Sequence, residues 1–110
     1  MKINIAKDFS DAPGGRNLSD GKYSGEEFQK KVLEPAFKKN KETIIVDLDG
    51  TFGYPPSFLE EAFGGLVRTN KFTTDEILKR LEFISNEDPS LPAKIKNYIR
   101  DANKWLGLLL

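Results

Sequence analysis

The chain has 110 residues and a mass of 12.4 kDa, enough for one hydrophobic core and too few for two, which excludes a two-domain enzyme. Lys and Arg number 17, as do Asp and Glu, so the formal charge is zero and nothing favours a binder of nucleic acid or of an anionic membrane. Cysteine and histidine are absent, which removes disulfides, thiolate nucleophiles, zinc sites built on those side chains and the usual acid/base of neutral pH.

Residues 1 to 8 interrupt every short apolar run with charge, so neither a signal-peptide core nor a membrane span is expected and a cytoplasmic location is the default. Lys2 to Ala6 alternates, with Ile3 and Ile5 on one face, and predicts a half-buried first strand. Ser10 to Lys22 collects turn formers (Asp11, Pro13, Gly14, Gly15, Asp20, Gly21) around Arg16; it reads as a long loop with room for a hairpin strand from Arg16 to Leu18. Ser24-Gly25-Glu26-Glu27 matches a capping box and starts a helix. Phe28, Val32, Leu33 and Phe37 form its apolar stripe, and Pro35 is expected to bend its last turns.

Thr43 to Leu48 is an apolar, β-branched run without alternation, the pattern of a central strand covered on both faces. Asp49 to Pro56 is a Gly/Pro-rich turn, after which Ser57 is placed to cap a helix that carries Glu60 and Glu61 in its first turn and runs to about Arg68. Within that helix the Gly64-Gly65 pair permits close packing or ends its first part. Thr73 or Thr74 opens a short helix, Arg80 to Ser85 reads as a third main strand, and a final helix begins near Asp88 or Pro89. Its stripe is Leu91, Ile95, Tyr98, Ile99, Ala102 and Trp105. Phe28, Phe37, Phe58, Phe63, Phe72 and Phe83 are expected in the core. Residues 1–105 thus form one domain, and the apolar tail 106–110 either docks on the body or meets a partner, a second copy of the chain included.

Strands alternating with helices predict an α/β fold with right-handed crossovers, whose site lies where strand ends meet helix starts. That edge holds Asp47 to Ser57. Ile44 to Thr51, an apolar strand followed by D-x-D-G-T, resembles the first motif of haloacid dehalogenase-like phosphatases. The resemblance implies Asp47 as nucleophile, Asp49 as general acid/base and a magnesium ion between them. Read without it, the two carboxylates accept turn N–H bonds.

A second resemblance covers about residues 1 to 103. Pro13-Gly14-Gly15-Arg16, Asp20-Gly21, Ser24 to Phe28, Val46 to Gly50 and Pro56 to Leu66 together look like the STAS-like family DUF4325, which is similar to the STAS domains of bacterial anti-sigma factor antagonists. It implies a small α/β domain with a mixed sheet of about four strands and three to four helices packed on it. It further implies a non-enzymatic, cytoplasmic interaction module whose partner is a histidine-kinase-like ATPase or an anti-sigma-factor-like serine kinase. Ser57, ten positions after Asp47, takes the place of the phosphoacceptor serine, although Pro55, Pro56 and Phe58 depart from that loop's usual D-S-S-G-L. The expected contact surface is Tyr54, Pro56, Ser57, Phe58 and Glu61 with Arg16. Arg16 either meets an anion or holds a surface salt bridge. No P-loop is present, so no cofactor is expected in this chain and any ATP belongs to the partner. An accessory role in toxin–antitoxin or phage-defence systems fits the same sequence.

Overall fold

The computed structural model describes residues 1–69 and 72–109, with side chains described through residue 102. Strand β1 (Lys2–Asn4) leads into a one-turn helix α1 (Ile5–Asp8), shorter than the expected strand because Asn4 caps that turn by accepting from the Lys7 N–H at 2.9 Å. A 3-10 turn follows at Leu18–Asp20, then helix α2 (25–39), strand β2 (Ile44–Asp47) and helix α3 (56–68). Helix α4 (Thr74–Arg80), capped by Thr73, runs directly into strand β3 (Leu81–Ile84), and helix α5 (Leu91–Leu109) completes the chain.

The sheet is parallel, in the order β1-β2-β3. Three expectations fail here. The sheet has three described strands and no antiparallel member, because Arg16 to Leu18 forms no hairpin strand. There the Asp20 carboxylate accepts from the backbone N–H groups of Arg16 (3.2 Å) and Asn17 (2.8 Å) and curls the chain into the 3-10 turn instead. Five helices are described instead of three to four. The third failure concerns β2, which is covered on one face only. Ile44 and Val46 are fully buried, whereas Ile45 and Asp47 are half-exposed beside Lys2, Glu82, Asn4 and Ile84. An isoleucine on the open face hid the alternation.

The covered face carries Ile3, Val46 and Phe83 in one register row and Ile44 with Leu81 in the next. Against it packs a helix layer in which α3 touches α2 on one side and α5 on the other. Ile95, Ile99 and Ala102 of α5 are fully buried; the expected contact of Trp105 and the docking of the 106–110 tail lie outside the described side chains. Helices α2 and α3 each contain one π turn, Gln29–Leu33 in α2 and Glu60–Gly64 in α3. In α2 the cause is Pro35: it has no N–H and its ring crowds the carbonyl four residues back, so the preceding turn widens, with Glu34 N–H donating to Gln29 O.

Arg80 ties the end of α2 to the start of β3. Its guanidinium donates to the carbonyls of Phe37 (3.2 Å), Glu42 (3.3 Å) and Asn40, and lies 4.7 Å from the Phe37 ring centroid. Free carbonyls at a helix C-terminus are thus satisfied by a cation, which the helix dipole also favours. Arg80→Ala is expected to lower the unfolding free energy by about 2 kcal/mol, and Arg80→Lys to restore only part of it because the planar fork is lost. Urea denaturation reads both; an unchanged midpoint for Arg80→Ala would sink this account.

Candidate functional site

The carboxyl ends of β2 and β3 open onto two loops, 48–55 and 85–90, and the start of α3. Gly50 and Gly53, at φ 99° and 138°, give the first loop its turns. Asp49 joins the two loops: its carboxylate accepts from the backbone N–H of Glu87 (2.9 Å) and Asn86 (3.2 Å) and from the Asn86 amide (3.1 Å). Glu87 answers by accepting from the Gly50 N–H. Those N–H bonds, the one from Glu87 foremost, hold the Asp49 carboxyl below its ordinary range. Asp47 accepts from the Asp49 N–H at 3.0 Å and lies 3.9 Å from the Lys2 ammonium.

These bonds decide between the two readings of the aspartates. Asp49 is tied up in turn contacts, and no group of three acidic side chains able to hold a metal ion occurs among the described residues. The phosphatase geometry, two free carboxylates converging on a cation, is therefore unsupported; both aspartates fasten loops.

Ser57 does not cap α3. Pro55 occupies the N-cap position and Pro56 the first helical position, so Ser57 stands second in the helix and no side-chain cap bond forms. Proline suits that first position because its missing N–H would have no partner there. The Ser57 hydroxyl is half-exposed and has no hydrogen-bond partner among the described residues. Pro56 beside it is exposed, but Phe58 is fully buried against Phe28 and Phe9. Phe58 is thus removed from the expected contact surface: it anchors the helix from beneath.

Tyr54 is also a strut more than a projection. Its hydroxyl donates to Leu48 O at 2.7 Å and its ring leans on Phe58. Burial, with the carboxylates of Asp47, Asp49 and Glu87 nearby, pushes the Tyr54 phenol up to about 12. In this loop the aromatic side chain that does project is Phe52, 87% exposed, which is not among the residues of the expected contact surface. Its position between Gly50 and Gly53 was the available signal, since a side chain at the tip of a Gly-flanked turn has no core face to join.

Arg16 and Glu61 meet in a four-residue charge cluster. Arg16 donates to Glu60 (2.5 Å) and Glu61 (3.4 Å), while Arg68 donates to Glu60 (2.5 and 2.9 Å) and to Glu61 (2.5 Å). Burial pushes the Glu60 carboxyl up, but the hydrogen bonds from Arg68 and Arg16 outweigh it and hold it below its ordinary value. Of the two readings of Arg16, the salt bridge is the one formed. The 10–23 loop reaches α3 through it, while the carbonyls of Gly15 and Arg16 accept the N–H groups of Gly25 and Glu26 at the start of α2. Ser24 caps that start as expected, accepting from Glu27 N–H at 3.1 Å, but the Glu27 carboxylate returns to the Tyr23 N–H instead of Ser24.

Between the two loops lies an open cleft of about 260 Å³ whose walls include Phe52, Tyr54, Asp49, Glu87 and Leu91. Among the described residues no helix is long and apolar enough to cross a membrane. Comparison with curated proteins and with solved structures returns no match. A family model does match: the one described as a STAS-like domain of unknown function (DUF4325), over residues 24–91, from the cap of α2 to the first residue of α5. That span takes in helices α2 to α4, the loop of Asp47 to Ser57 and the α3 members of the charge cluster, Glu60, Glu61 and Arg68, with Arg16 outside it, and the chain belongs to this STAS-like family.

Proposed function

We propose that this STAS-like domain is a non-enzymatic regulatory module that binds a histidine-kinase-like ATPase or serine kinase and is released from it by phosphorylation of Ser57. The observation that carries the reading is the setting of Ser57: an unpartnered, half-exposed hydroxyl in the first turn of α3, on the loop edge of the sheet. A phosphate there adds about −1.5 to −2 charges at pH 7. The helix start tolerates that charge, but Glu60 and Glu61, three and four residues on, share its face. The domain would keep its fold while its surface changed from nearly neutral to strongly anionic, and a partner surface fitted to the hydroxyl form would lose its match.

The contact surface then comprises Pro56 and Ser57 with the exposed edges of Tyr54, Glu61 and Arg16, Phe58 supporting it from the core. The test is intact mass after incubation with Mg-ATP and a histidine-kinase-like ATPase or serine kinase from the same cells. A phosphoryl mass gain is expected, and is expected to vanish in Ser57→Ala. In calorimetry Ser57→Asp should bind that partner at least about tenfold more weakly than the parent chain. Equal affinities for the parent, Ser57→Asp and Ser57→Ala would overturn the switch.

A further inference from the structure

The loop that leads into the helix turn of Ser57 also forms one wall of the cleft between residues 48–55 and 85–90, and that cleft combines two features. Phe52 stands at its rim, 87% exposed, and offers a large apolar face directly beside the charged walls. Its walls carry Asp49, Glu87 and Asp88 against the single cation Lys94. Asp49 and Asp88 are both held in the anionic form by hydrogen bonds, from Glu87 N–H and from the Ser90 hydroxyl respectively. The raised Tyr54 phenol registers the same negative field after the effect of burial. Each carboxylate is already fixed by backbone or hydroxyl donors, so the wall presents charge in a rigid arrangement that costs little to pre-organise.

We propose that this cleft is a docking site for a cationic segment of a partner protein, a lysine or arginine lying between the acidic walls and a neighbouring apolar side chain packing on Phe52. The proposal rests on the reading of this loop edge as a partner-binding surface and adds the chemistry of what binds. An anionic segment would meet three like charges, and a purely apolar one would leave the acidic wall desolvated and unpaired.

The test titrates the 15N-labelled chain with two capped peptides of equal length, one built of lysine and leucine, the other of glutamate and leucine. The cationic peptide is expected to shift the amides of residues 49–54 and 85–91 saturably, and the anionic one to leave them in place. Phe52→Ala should weaken that binding at least about tenfold. Glu87→Gln, which keeps an acceptor for the Gly50 N–H, should weaken it several-fold. Phosphoryl transfer to Ser57 is read by intact mass and peptide binding by the amide shifts, so failure of the phosphorylation switch and failure of the cleft are read separately. Absence of saturable shifts at these amides, or equal shifts with both peptides, would overturn the proposal.

Discussion

Phe58→Ala is expected to lower the unfolding free energy by about 3 to 5 kcal/mol, the cost of removing a large buried ring together with the cavity it leaves. The ring is fully buried and lies 5.9 Å from Phe28, 6.2 Å from Phe9 and 6.1 Å from Tyr54, centroid to centroid. It therefore joins the aromatic core to the strut that holds the 48–55 loop. Loss of the ring leaves Tyr54 without its support and the first turn of α3 without its anchor. Phe58→Leu, which refills part of the volume, should lose less. Phe52→Ala is the control from the same loop: an exposed ring contributes within about 0.5 kcal/mol of nothing to stability. Chemical denaturation of the three variants separates a core phenylalanine from a surface one. Parent-like stability for Phe58→Ala, with partner binding lost, would return Phe58 to the contact surface and refute its role as an anchor.

What the sequence disclosed follows from how local each signal is. The Ser24 cap, the apolar stripe of α2 and the buried Ile95, Ile99 and Ala102 of α5 depend on spacing within one element, and all of them appear. The D-x-D-G-T motif is just as local, yet its chemistry is not. Whether Asp49 serves a cation or a turn depends on Asn86 and Glu87, 37 and 38 residues further on, whose N–H groups claim it. The coverage of β2 was misread for a similar reason, since only the neighbouring strands show that Ile45 lies in a row with Lys2 and Glu82. Ser57 is a different case. The pair Pro55-Pro56 carried enough information to move the cap two steps back, because proline favours the first helical position, and the serine then falls inside the helix.

The same locality limits what spacing says about how helices meet, and Gly25 is where that matters most for the site. It opens α2, where alanine would ordinarily be the better helix former by up to about 1 kcal/mol. A methyl group on Gly25, however, would run into the backbone of α3: into the Phe58 carbonyl, to within 3.1 Å of the Ala62 nitrogen and within 3.1 Å of the Glu61 Cβ. Main chain cannot rotate aside as a side-chain tip can, so α3 must move off α2 and carry Ser57, Phe58 and Glu61 with it. Gly25→Ala is therefore expected to lose about 3 kcal/mol of stability despite its helix propensity. It should also shift the amides of residues 57–62 in the variant that remains folded. Gly14→Ala is the matching control, with nothing within 4 Å of the added methyl, and should change stability by less than about 0.5 kcal/mol. If Gly25→Ala proved as stable as the parent with those amides in place, the close approach of α2 to the first turns of α3 would be refuted. If it loses stability as expected, the position of Ser57 is set by α2 packing, and variants of α2 far from any partner contact should alter partner binding through it.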